Sequence, residues 1–173
     1  IDVNMAIAEE GLRKDYGLHV GRGIIRNEKG SLIGRDIANT ASFTTAAAVD
    51  ARMAGCTKAV MSVARSGNQG LTATIPVIVT ANAIGSSTDK LYRSLALSIL
   101  ITIHAKQYIG RLSVLCGCSI ASAIGVGGAM VFLYGGTLKN VYASVRTMTA
   151  DISGMICDGA KPGCAFKIAT SVN

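Results

Sequence analysis

An all-α fold, a compact helical domain built around buried central helices rich in small residues, is what this sequence predicts. Three observations carry the expectation. Capping residues and glycine stops bracket most of the apolar segments. Small residues are dense: the 173 residues hold 20 glycines but only 2 prolines and no tryptophan, and small side chains let helix backbones approach one another. No series of alternating strands with regular turn signals is present.

Taken in order, Val3, Ala6, Ile7 and Leu12 fall at helical spacing, and Gly17 is the expected stop. By length residues 1–173 are expected to form one domain. A chain that opens inside a helical pattern is expected to be a piece of something larger. Residues 18–36 read as a loop or short extended segment. Asn39, Thr40 and Ser42 offer caps for a helix over residues 43–54, which Gly55 closes. Residues 62–70 read as a polar, glycine-containing turn. The run 75–79 suits a strand by propensity, but its Ala, Thr and Asn neighbours favour a buried helix. Ser86 with Asp89 resembles a capping box that opens a long helix to Ile109, ended by Gly110. Residues 120–134 form a helix of small residues, stopped by Gly135 and Gly136. Thr137 then caps a helix over residues 138–156, and a short helix follows from Ala165.

The formal charge is +7, without any run of five or more like charges. A nucleic-acid face shows clustered Lys and Arg with interleaved aromatics; here the 5 tyrosines and 3 phenylalanines are scattered, so no nucleic-acid partner is expected. The excess reads as a solvated surface with a local positive field for an anionic ligand. Residues 66–88 and 112–138 carry no charged side chain, and each exceeds the ~20 residues that span a bilayer. Asn68, Gln69, Asn82 and Pro76 in the first, and the glycines, serines and threonine of the second, argue for buried helices instead. Asp2, Glu9 and Glu10 interrupt any signal-peptide pattern. Reduced cysteines in a cytoplasmic protein are the expectation. Self-association stays open.

Five cysteines are the most informative residues. Cys116 and Cys118 lie in Leu115-Cys116-Gly117-Cys118-Ser119, Cys157 and Cys164 bracket Asp158-Gly159-Ala160-Lys161-Pro162-Gly163, and Cys56 stands apart. Thiolates that converge need backbone able to turn sharply, which the adjacent glycines supply. Iron–sulfur clusters use such thiolates; buried free cysteines that pack as small hydrophobes are the competing reading. The absence of any CxxC argues against a zinc ribbon or a thioredoxin-like pair.

Three motifs occur in order: Ser66-Gly67-Asn68-Gln69-Gly70, Gly110-Arg111-Leu112-Ser113-Val114-Leu115-Cys116-Gly117, and Met155-Ile156-Cys157 running on to Gly163-Cys164. With them the chain resembles, over nearly its whole length, the α-type catalytic domain of iron–sulfur L-serine dehydratases, and most closely the L-cysteine desulfidase branch. The resemblance implies an all-helical fold and an oxygen-sensitive [4Fe-4S] cluster. It also implies β-elimination from a small L-amino acid to pyruvate and ammonia, with sulfide when the substrate is cysteine. The cluster ligands carry over onto Cys116, Cys157 and Cys164, with Cys118 either a neighbour or a replacement. Ser66, Gly67, Asn68, Gln69 and Gly70 match the segment that holds the substrate carboxylate. The family's N-terminal region, with further substrate contacts, is not in this sequence and is expected as the partner of this domain. The resemblance thus implies that residues 1–173 are the C-terminal part of a longer polypeptide.

Three cysteine ligands leave one iron of such a cluster open as a Lewis acid. Backbone N–H groups of residues 66–70 offer a nest for a carboxylate, with Asn68 and Gln69 adding donors. Without the family, Gly67 and Gly70 read simply as a tight turn. A general base is not apparent: His104 reads as structural or surface, and Lys161 is a weak catalytic candidate, its charge either favouring nearby thiolates or facing solvent. Asp158 reads as a loop-orienting residue. A non-catalytic iron–sulfur or small-ligand-binding module of the same fold is the alternative.

Overall fold

The computed structural model describes residues 1–26, 36–110 and 113–173. Eight helices account for these residues, with no strand among them: α1 (Asp2–Arg13), α2 (Val20–Arg26), α3 (Ile37–Met53), α4 (Gly67–Ala83), α5 (Thr88–Ile109), α6 (Ile120–Leu133), α7 (Leu138–Ile152) and α8 (Cys164–Val172). The all-α expectation holds. No described helix is long and apolar enough to cross a membrane.

Helix α4 organises the packing. Its Leu71 and Ile75 join Ile7, Val49 and Ile168 in a first core formed with α1, α3 and α8. Its Val77, Ile78 and Ala81 join Leu91, Leu95, Val126 and Leu133 in a second core formed with α5 and α6. The residues 75–79 are therefore helical and almost wholly buried, although β-branched side chains dominate them; packing on both sides overrides strand propensity. Pro76 lies inside the helix and withdraws one backbone donor. Ser98 of α5 donates its hydroxyl to Ala73 O at 2.6 Å, tying the two helices at that level. Small residues do what the composition suggested: a Cβ at Gly125 of α6 would overlap Thr102 Oγ1 and Ser98 O of α5.

Several boundaries differ from the sequence reading, each for a local reason. Helix α1 ends at Arg13 because Lys14 turns extended; Gly17 instead occupies a left-handed turn at φ 58° beside Asp50. Part of the expected 18–36 loop is helix α2; residues 27–35 of it lie outside the described residues. The start of α2 is fixed from a distance, since the buried Asp50 carboxylate accepts the Gly21 N–H at 3.1 Å. Helix α3 begins at Ile37, capped by Asp36, whose side chain accepts from Asn39 N at 2.7 Å. Ser87 rather than Ser86 caps α5, accepting from Lys90 N. Thr137 does cap α7, with Asn140 completing a reciprocal box. That helix stops at Ile152, not 156, because Met155 O is taken by Cys116 N at 2.8 Å.

Candidate functional site: a cysteine-lined cavity

The residues 66–70 are not a free turn but the cap and first turn of α4. Ser66 adopts the extended conformation of an N-cap, and its hydroxyl accepts from Gln69 N at 3.3 Å. Gly67, Asn68, Gln69 and Gly70 are all buried. A Cβ at residue 70 would overlap the Met61 carbonyl, so only glycine lets the 61–62 backbone lie across this turn. Asn4 of α1 clamps the same place, its Oδ1 accepting from Met61 N at 2.9 Å and its Nδ2 donating to Gly70 O at 3.3 Å.

Just before the cap, Val63 and Ser66 exchange both backbone hydrogen bonds, 3.2 and 3.0 Å, around a two-residue turn. Ala64 and Arg65 sit there at φ 47° and 67°. Non-glycine residues in this region cost on the order of 1–3 kcal/mol each and persist only where neighbours over-determine them. The neighbour here is Gln69, whose Nε2 donates to the buried Val63 O at 2.9 Å.

A pair of crossed backbone bonds brings the cysteine segments together. Cys116 N donates to Met155 O at 2.8 Å and Cys157 N donates to Val114 O at 2.6 Å, forming an antiparallel bridge between Leu115 and Ile156. Cys164 is the first residue of α8, buried in the first core, with its Sγ 3.6 Å from Gly159 O. Cys118 packs on that same core, its Sγ 3.6 Å from Ser66 Oγ. Four cysteines thus meet one cavity of about 420 Å³, together with Ser66, Asn68 and Gln69 of α4 and with Arg52, Arg65, Lys106 and Lys167. All five cysteines are free thiols. Cys56 lies elsewhere, beside Tyr16, whose phenol is pushed up to about 12, first by its contact with that thiol and then by burial.

Within the cavity Cys116 is the acidic thiol. The hydrogen bond with Cys118 draws it down to about 5, aided by Ser119, whose Oγ lies 3.5 Å away, and by the charge of Lys167, against the opposing effect of burial. The same shared hydrogen bond and burial push Cys118 up, so the pair holds one proton on Cys118. The Asp158 carboxylate is paired: Lys161 and Lys167 both contact it and hold it well below its usual range. Lys167 also donates to Ile156 O at 2.8 Å, which fixes the Cys157 segment.

The other expected residues are placed as follows. Gly67 and Gly70 lie in the first turn of α4. Asn68 and Gln69 spend their polar groups inside the protein: Asn68 Oδ1 accepts from Arg52 Nη1 at 2.9 Å, and its Nδ2 faces Met53 Sδ at 3.5 Å. Lys161 pairs with Asp158 at 2.5 Å and does not line the cavity. His104 packs edge-on to Tyr108 on the exposed side of α5, and His19 lies 3.6 Å from Asp15; neither reaches the cavity. The four cations lining the cavity were not singled out by the sequence, because they come from four separate segments with no shared spacing. Arg111 and Leu112 lie outside the described residues.

The donor set fits an iron–sulfur cluster in its chemistry: soft thiols, one already acidic, with the adjacent carboxylate neutralised by lysines. Among the described residues no three His, Cys, Asp or Glu side chains are placed to hold a single metal ion. A cluster differs from such a site in that each cysteine binds a different iron, so its ligands need not meet at one point.

The helices and their connecting segments thus form a cavity lined by cysteines and cations. Comparison with known proteins gives the family: the sequence model described as serine dehydratase alpha chain matches residues 1–173, and the chain belongs to that family. Relatives include UPF0597 proteins of Clostridium perfringens, 47% identical over 171 residues, and of Oleidesulfovibrio alaskensis, 48% identical over 171 residues. A UPF0597 protein of Clostridioides difficile is 42% identical over 173 residues. These alignments cover 99–100% of this chain but 40% of each relative, so the chain spans about two fifths of their length. No solved structure matches.

Proposed function

We propose that the protein is a β-elimination lyase acting on a small L-amino acid. With L-cysteine and water the products are pyruvate, ammonia and sulfide; with L-serine they are pyruvate and ammonia. The observation that carries this reading is the convergence of Cys116, Cys118, Cys157 and Cys164 on one cavity whose opposite wall is the capped start of α4.

Cys116, Cys157 and Cys164 are the residues that would hold a [4Fe-4S] cluster. Such a cluster, when bound, supplies an open iron that acts as a Lewis acid on the substrate. The chain's own residues do the rest. The acidity of Cys116 favours the thiolate that ligation requires. Lys167 holds the Cys157 segment through Ile156 O and pairs with Asp158. Asn68 fixes the Arg52 guanidinium at the cavity wall, and Gln69 fixes the turn before α4. The buried first core behind Cys164 keeps water from one side of the site. The proton acceptor at Cα is assigned to the part of the relatives' length that this chain does not cover.

Anaerobic reconstitution of the intact protein with iron and sulfide tests the reading. Cys116→Ser, Cys157→Ser and Cys164→Ser are each expected to lower iron per chain, whereas Cys56→Ser keeps it. Loss of iron at Cys56 equal to that at the other three overturns the ligand set. Full iron loading without pyruvate or sulfide release from either amino acid favours the non-catalytic module instead.

A further inference from the structure

The cations that line the cavity are not equivalent. Arg52 is committed to Asn68 Oδ1, and Lys167 to Asp158 and Ile156 O. Lys106 is also partnered and, like Gln69, borders Gly117: a Cβ there would lie 2.9 Å from Lys106 Nζ and 2.5 Å from Gln69 Oε1. Arg65 alone among these four has no acidic or polar partner among the described residues, and its side chain is exposed at the cavity mouth. It also lines a shallower annex of about 350 Å³ with Lys106, Ile103 and Gln107, so it stands at the partition between the two spaces. Its backbone is held left-handed by the clamped 63–66 turn, and the next residue, Ser66, touches Cys118 Sγ at 3.6 Å.

We propose that Arg65 is the residue that binds the substrate carboxylate. This rests on the lyase reading above and adds to it the residue that recognises the α-carboxylate of the amino acid. An uncommitted guanidinium offers a planar fork matched to a carboxylate. The clamped turn fixes where the Arg65 backbone stands at the cavity rim, so a carboxylate bound by its side chain leaves the substrate's Cα and β carbon on the cavity side. Asn68 and Gln69, which match the family's carboxylate segment, make side-chain hydrogen bonds within the protein. They act as positioning residues for Arg52 and for the turn that carries Arg65.

Arg65→Asn separates charge from backbone, since asparagine tolerates the left-handed region and removes the cation. Calorimetric titration of the intact, reconstituted protein with L-serine and with ethanolamine, which lacks the carboxylate, reads the effect. Arg65→Asn is expected to weaken L-serine binding about 10- to 100-fold, the loss of a charge-assisted pair. It should leave ethanolamine binding and iron content unchanged. Arg65→Lys should recover part of the affinity, and Arg65→Gly, which relaxes the backbone, should bind as poorly as the asparagine variant. Wild-type affinity in the Asn and Gly variants overturns the proposal, as does an equal loss for ethanolamine. If the wild-type protein binds neither L-serine nor L-cysteine, the lyase reading itself fails; binding that ignores residue 65 sinks only the assignment of Arg65.

Discussion

The two cores that meet along α4 are built on different principles. Around the first core, beside the cavity, polar groups are buried and reach far along the chain: Asn4 to Met61 and Gly70, Ser42 to Ala169 O, Asp50 to Gly21. The second core has apolar side chains at its centre; of the hydroxyls buried beside it, Ser94 and Thr102 bond back to their own helix and Ser98 crosses to Ala73 O. Hydrophobic cores tolerate volume-conserving exchange, whereas a satisfied network of directed bonds rigidifies and specifies one arrangement. The half of the molecule that carries the cavity is the half that is fixed. A stability loss in the second core should therefore leave the site intact, and an equal loss in the first should not.

The largest effect should come from breaking the first core at its tightest point. Gly70→Ala places a Cβ into the Met61 carbonyl, a backbone clash that no side-chain rotation relieves. It is expected to destabilise by more than about 3 kcal/mol, above the common range for overpacking, and to abolish iron uptake, since the 61–66 segment must move. Urea unfolding and iron analysis after reconstitution check both parts. A variant of near-normal stability that still loads iron would show that this approach is not needed.

The matching change in the second core is Ile78→Ala. Ile78 is 2% exposed and packs among Val77, Leu91, Leu95 and Leu133, so truncation should cost about 3 kcal/mol. Iron content and any substrate affinity should be unchanged at temperatures where the variant is folded. Coupled loss of stability and iron would erase the distinction between the cores.

The same contrast decides what could be read from the sequence. Helices that carry their own signals were legible: α7 from Thr137, α5 from its serine cap to Gly110, α6 up to Gly135 and Gly136. Helix α2 was not, because Asp50, far along the chain on α3, caps it. The cysteines were legible as a group through glycine spacing and family resemblance. What joins them, the crossed bonds between residues 114–116 and 155–157, leaves no mark in composition. Arg65 was invisible for a similar reason, as its turn uses Ala and Arg where the local code asks for Asn and Gly. Residues 66–70 were misread as a loop because two glycines and two amides look like a turn until Ser66 is seen as a cap.

The smallest expected effect is in the dependence of stability on pH, and it too belongs to the first half alone, where Glu10 and Asp50 are the carboxylates buried among the described residues. They pull in opposite directions. Hydrogen bonds from Lys14 and then Arg13, both at 2.7 Å, hold Glu10 at about 2 against its ordinary 4.5. The folded state thus binds this proton more weakly than the unfolded chain. The contribution of Glu10 is complete above about pH 4.5 and is lost as pH falls toward 2. Burial raises Asp50 above its ordinary 3.8, against the backbone N–H groups of Gly21, Leu18 and Val20 that favour the charged form. Its folded state binds the proton more tightly, so its contribution is complete below 3.8 and declines as pH rises through the folded value. Glu10→Gln should therefore flatten the acid limb of a plot of urea midpoint against pH. Asp50→Asn should remove a decline on the other side of pH 3.8. A Glu10→Gln profile that keeps the wild-type acid limb would mean that the ion pairs of α1 do not couple to folding, and the first half would then owe its fixed geometry to neutral hydrogen bonds alone.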